Sequence, residues 1–132
     1  MKLNANPELY PFVLSPSLVN LLDGLLENQS DDSVCINFRD PSYTAEEGGF
    51  HPVEIHVSAD GVLETVTDFA YFGQPPLQEL GNELDWSFAD GYFRQFDDMH
   101  NLVVGQSLFH LWADNFAAYY AMDVYQVEIS PW

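Results

Sequence analysis

The 132-residue chain is nearly devoid of positive charge. Three cations, Lys2, Arg39 and Arg94, face twenty-one Asp and Glu, giving a formal net charge of −18 at pH 7. That balance excludes direct nucleic-acid binding, which needs cations to displace the counterions of phosphates, and adhesion to anionic membranes. Cysteine is equally scarce. Cys35 stands alone, so no intramolecular disulfide forms, and its neighbours Val34 and Ile36 predict a buried, inert thiol. No apolar run is long enough to span a bilayer. The opening residues Met1 to Glu8 lack the apolar stretch of a signal peptide, so cytoplasm is the expected location. A Gly-x-Ser-x-Gly elbow, a phosphate loop, a dinucleotide fingerprint, HExxH and the spaced aspartates of an EF-hand are all missing. The expectation is no cofactor, and binding rather than catalysis.

Apolar residues make up 47% of the chain and aromatics 15%. A disordered acidic tail carries far fewer, so this chain is expected to fold around one core. Residues 1–14, with Pro7 and Pro11, read as an extended arm offering Tyr10, Phe12, Val13 and Leu14 for docking. Residues 15–132 read as a single α+β domain. Ser15 suits a helix N-cap and Pro16 the first helical position, with Leu18, Leu21, Leu22 and Leu25 on one stripe. "SVCINF", "PVEIHVS" and "VLETVTDFAYF" read as strands, "GQPPLQELGNE" as a loop, and "LDWSF" and "YFRQF" as further strand segments. Residues 105–122 form a second helix, apolar over most of its surface. Leu108, Leu111, Trp112, Asn115 and Tyr119 share one face; Phe109, Ala113, Phe116 and Tyr120 lie on the neighbouring flank. "VYQVEI" closes the chain as a strand. The resulting fold class is α+β, a mostly antiparallel sheet of about five strands packed against two helices.

Charge placement sets the expected register of the central hairpin. A three-residue loop at 59–61, with Gly61 at positive φ, sets Val57 opposite Leu63, Ile55 opposite Thr65 and Val53 opposite Thr67. Glu54, His56, Glu64 and Asp68 then share the solvent side, and Phe69 and Tyr71 continue the apolar side. Shifting the register by one would put carboxylates beside the valines, at a cost in desolvation.

Several groups could carry chemistry. In the 38–52 loop, Arg39, Tyr43, Glu46, Glu47 and His51 are the ligand-binding candidates. The structural alternative is that Arg39 anchors the loop to Asp40, Glu46 or Glu47, while Gly48 and Gly49 make its turn. Glu54 and His56 on one strand face, with Glu64 opposite, form a weak candidate metal set, as do His110 and Asp114 at i,i+4. A solvated cross-strand ion pair explains His56 as simply. Asp97, Asp98 and His100 could serve acid–base hydrolysis or be an ordinary polar turn. No catalytic residue is assigned.

Three segments, "NFRDPSYTAEEGGFHPVEI", "LDWSFADGYFRQ" and "LFHLWADNFAAYYAMDVYQVEI", resemble the bacterial family called domain of unknown function 2787, over most of the chain after about residue 15. The resemblance implies a small α+β domain, with members that travel with mobile elements and no established activity. It also implies that Arg39, Asp40, Tyr43, Glu46, Gly48, Gly49, His51 and Pro52 form a family-defining unit. Together these readings describe an acidic, non-enzymatic interaction module that engages a basic nucleic-acid-binding protein by charge mimicry. The alternatives are a self-associating domain, dimeric through the 105–122 helix, with a small-ligand or metal site near the 38–52 loop, and a hydrolase with a carboxylate/His site.

Overall fold

The computed structural model describes all 132 residues. Seven strands form one antiparallel sheet: β1 (Val34–Arg39), β2 (Val53–Val57), β3 (Leu63–Phe72), β4 (Glu79–Ser87), β5 (Tyr92–Gln95), β6 (Asp98–Asn101) and β7 (Gln126–Pro131). Their spatial order is β6-β5-β4-β3-β2-β1-β7. The first six strands therefore run as a meander, and β7 closes the far edge against β1. Helix α2 (Gln106–Ala121) lies between β6 and β7 in sequence, so it must cross the sheet from edge to edge. Its aromatic rings mark the path: Phe109 meets Trp86 of β4 at 5.2 Å and Phe116 meets Phe38 of β1 at 4.9 Å. Helix α1 (Pro16–Leu26) packs beside it.

The sheet exceeds the expected five strands because the additions are polar. Strand β6, Asp-Met-His-Asn, is exposed throughout and is held by backbone pairing to β5 alone. Strand β4 begins at Glu79, inside the segment read as a loop, because Leu80 and Gly81 pair with Tyr71 and Ala70. Neither segment alternates apolar and polar residues, so the strand signal was absent there.

On α2 the buried stripe is Phe109, Ala113 and Phe116. Leu111 points outward, 61% exposed. Ser15 occupies the N-cap position of α1 with Pro16 behind it, yet its hydroxyl makes no cap bond. It donates to Asp114 of α2 instead, as does Ser17 at 2.7 Å. His110 Nε2 bonds the Val13 carbonyl at 2.8 Å. The His110–Asp114 pair, a metal candidate in sequence, is thus committed to joining α2 to the arm and α1. Tyr10, Phe12 and Leu14 of the arm are buried in the one apolar cluster, whereas Val13 is exposed.

Candidate functional site

The hairpin turn forms as its sequence predicts: Gly61 has φ 77°, Ser58 N–H donates to Val62 O, and Val57 pairs with Leu63. One residue later the register slips. His56 pairs with Thr65, so Glu64 is left unpaired as a bulge, and Ile55 meets Val66 while Val53 meets Asp68. An extra residue inverts the alternation beyond it. The expected placement of Asp68 on the solvent side is therefore incorrect. It lies under the helices, 7% exposed. A second irregularity follows between β3 and β4: Asp68 pairs with Leu84 and Phe69 with Asn82, which leaves Glu83 unpaired. Bulges commonly re-aim side chains next to functional sites. These two bring Asp68 and Glu83 beside His51, which precedes β2 by two residues.

The three side chains converge. His51 Nδ1 lies 2.8 Å from Asp68 Oδ1 and 2.9 Å from Glu83 Oε2. A ring nitrogen carries at most one proton, for which two carboxylate oxygens compete, Asp68 Oδ1 making the stronger contact; Glu83 Oε2 is also shut off from solvent. The other Asp68 oxygen accepts from Trp112 Nε1 at 2.8 Å. These two donors meet the desolvation cost that argued against burying Asp68. The hydrogen bond to Asp68 and the two carboxylate charges hold the His51 imidazole above its usual range, against the opposing effect of burial. Burial, then the Asp68 charge, pushes the Glu83 carboxyl up, partly offset by His51.

This cluster lies at one side of a cavity of about 370 Å³ between the sheet and the second half of α2. Phe50, Trp112, Phe116, Tyr119 and Tyr125 supply aromatic walls, with Phe50 and Tyr119 rings 4.9 Å apart and Phe116 and Tyr125 at 5.5 Å. Chemically, the cluster can hold a cation or pass a proton between imidazole and carboxylate. No hydroxyl or thiol nucleophile lines the cavity except the Tyr119 and Tyr125 phenols, and burial pushes the Tyr125 phenol up, away from its reactive anion.

Of the five ligand-binding candidates, His51 alone lines this cavity. Tyr43 stacks behind it at 5.4 Å. Glu46 and Glu47 are exposed at the loop tip, beside the small Thr44–Gly48 bridge. Arg39 borders a separate groove with Asn37, Glu54 and Tyr71. It also fails as the loop anchor, since every ionic contact in the molecule involves histidine. Asp40 takes that role: its carboxylate accepts from Ser42 N–H at 2.9 Å, Ser42 Oγ at 2.7 Å and Phe50 N–H at 3.0 Å. These bonds hold the Asp40 carboxyl below its usual range. Asp40→Ala is expected to lower stability by about 1–3 kcal/mol, because three part-buried hydrogen bonds lose their acceptor. Arg39→Ala is expected to stay within about 0.5 kcal/mol of wild type. Urea denaturation of the two variants checks both; a larger loss in Arg39→Ala would restore the guanidinium anchor.

The metal candidates divide similarly. Glu54 Oε1 lies 2.7 Å from His56 Nε2, and the third group within ligand distance is Cys35, directly across β1. Glu64 is absent from that set, because the bulge takes it out of the ladder. Burial and the Glu54 carboxylate push the Cys35 thiol up to about 12, which suits an inert thiol and opposes a metal thiolate. The ring of Trp132 stacks on His56 at 4.1 Å. Asp97, Asp98 and His100 are exposed around the β5–β6 turn and converge on nothing.

The fold recurs in solved structures. A hypothetical protein from the VSP-II pathogenicity island of Vibrio cholerae is 36% identical, with TM-score 0.77 over 89% of this chain and 93% of its own. A conserved hypothetical protein from pathogenicity island VPI-2 of Vibrio cholerae, described as sharing structural homology with the human P32 protein, is 38% identical. Its TM-score is 0.76 over 89% of this chain and 94% of its own. Among curated proteins nothing matches. The model of the family described as "Protein of unknown function (DUF2787)" matches residues 13–130, and the chain belongs to that family.

Proposed function

We propose that the protein is a non-enzymatic binding module whose carboxylate surface engages a basic protein. The observation that supports this is the lack of internal counter-charge. Lys2, Arg39 and Arg94 form no ion pair with any carboxylate, and only Asp40, Asp68 and Asp85 among the acids are buried. A basic partner would gain Coulomb attraction without first breaking ion pairs within the domain. Mimicry of the DNA backbone is the finer form of the proposal. Exposed doublets at Asp31–Asp32, Glu46–Glu47 and Asp97–Asp98 favour it, as does the pathogenicity-island setting of the two similar proteins. A cytoplasmic location belongs to the same reading.

The test is affinity capture from nuclease-treated lysate, eluted by stepwise salt and separately by duplex DNA. A basic nucleic-acid-binding protein should be released by salt below about 0.5 M, where screening shortens to a few ångströms, and displaced by the DNA. Capture insensitive to both would contradict an electrostatic interface. Self-association through residues 105–122 is the second reading, favoured by Val104 and Leu111, which are 64% and 61% exposed. A monomer by sedimentation at high concentration would remove it.

A further inference from the structure

The cavity beside α2 is short of positive charge: Asp68 and Glu83 line it and His51 is the one group there that can carry a positive charge. His51 can give one Nδ1 proton to two carboxylates at 2.8 and 2.9 Å, and Glu83 Oε2, closed to solvent, is the oxygen left unserved. Even a full imidazolium would neutralise only one of the two carboxylates. Apart from Asn115, aromatic and apolar residues make up most of the remaining lining: the Phe50 and Tyr119 rings are 4.9 Å apart, with Tyr125 adjoining Phe50 at 6.3 Å. Its volume, about 370 Å³, holds roughly twelve waters at about 30 Å³ each, or one long side chain.

We propose that this cavity binds an alkylammonium or guanidinium cation, its N–H groups bonding the exposed side of the Glu83 carboxylate, whose side chain is 26% exposed, and its aliphatic stem lying against Phe50, Tyr119 and Tyr125. Charge-assisted hydrogen bonds and the electron-rich ring faces favour such a group together. A divalent metal fits less well. It would need a bare His51 Nδ1, and the two carboxylates beside that nitrogen favour its protonated form. A metal would also leave the aromatic walls without a role. The cation could come from a free amine or from a Lys or Arg side chain of a protein. Only the second source rests on the reading of a basic partner.

Titration of ¹⁵N-labelled protein with butylammonium, agmatine, an N-acetylated lysine amide and neutral butanol, followed by amide chemical shifts, tests the site. The cations should shift Phe50, His51, Glu83 and Tyr119 together, and butanol should not. Glu83→Gln, which keeps shape and removes the charge, should weaken binding by about tenfold or more. Tyr119→Ala, at a half-exposed position, should weaken it independently. Binding of the small amines assigns the site to free cations; binding of the lysine amide alone assigns it to a protein side chain and supports the basic-partner reading. Shifts equal for butanol and butylammonium would overturn the proposal, as would unchanged affinity in Glu83→Gln. So would silence from every cation, or a one-to-one Mn²⁺ or Zn²⁺ site at His51 that excludes the amines. Small-amine binding together with failed capture of a basic protein would sink the surface reading and leave the cavity assignment standing.

Discussion

Replacing Trp86 by Ala is expected to cost about 3–5 kcal/mol, the range for deleting a fully buried large aromatic side chain. Trp86 is 0% exposed and sits where strand and helix rings meet. It stacks on Phe93 at 5.3 Å and contacts Phe109 at 5.2 Å and Trp112 at 5.5 Å. Its Nε1 donates to Gly105 O at 3.1 Å, tying β4 to the 3₁₀ turn (Leu102–Gly105) that launches α2. Against a total stability of about 5–15 kcal/mol for a domain, the melting temperature should fall by about 10 °C or more. Since that variant could fail to fold, Trp86→Phe provides the graded measurement. It retains a ring and loses the bond to Gly105 O, for an expected cost of about 1–3 kcal/mol. Two variants melting within a few degrees of wild type would mean that the strand–helix junction tolerates a cavity.

Gly61→Ala should be nearly as damaging, for a backbone reason. The residue sits at φ 77°, and a Cβ there would approach the Lys2 carbonyl oxygen to 2.4 Å and the Asn4 nitrogen to 3.3 Å. Those are main-chain atoms, so no side chain can swing aside. Positive φ alone costs an L-residue about 1–3 kcal/mol, and the clash adds the loss of the arm. Asn4 N–H donates to Gly61 O at 2.8 Å. Tyr10 then locks both strands of this contact, its hydroxyl donating to Asn4 O at 2.7 Å and accepting from Leu63 N–H at 3.0 Å. Gly91 supplies the control, with φ 76° and nothing within 4 Å of its virtual Cβ. Gly61→Ala is expected to lower the melting temperature beyond Gly91→Ala and to speed amide exchange at Leu3 and Asn4. Equal losses would show that the arm yields at no cost.

The site was partly legible in the sequence. His51 stood out as a rare histidine in a loop rich in glycine, and it does line the cavity. Asp68 and Glu83 did not, since strict alternation sends Asp68 to solvent and the Glu83 segment read as loop. Each bulge adds one residue to one strand, which leaves almost no mark on composition yet reverses the facing of all that follows. Glu64 and Glu83 are ordinary residues for strands, with no glycine or proline to announce the irregularity. A buried carboxylate beside Val53 therefore reads from sequence as an energetic error. It ceases to be one only when Trp112 and His51, forty-four and seventeen positions away, supply donors. The Arg39 anchor failed for a related reason: a charge's partner is chosen by geometry, and Asp40 reaches three local donors that need no guanidinium.

Composition and local pattern determined a good deal. An excess of aromatics over any disordered acidic chain required a core, and the Ser-Pro start and leucine stripe of α1, the Gly61 turn and the alternation of β1 and β2 all formed where local chemistry placed them. Such features depend on neighbours within a few residues, which a sequence displays directly. Tertiary structure alone decided the two polar strand segments, the buried stripe of α2 and the meeting of His51, Asp68 and Glu83. For α2 and the acidic cluster the free energy depends on groups far apart in the chain, the path across the sheet for the first and the donors that reach Asp68 for the second; β6 depends on backbone pairing with its neighbour β5, which side-chain pattern does not report.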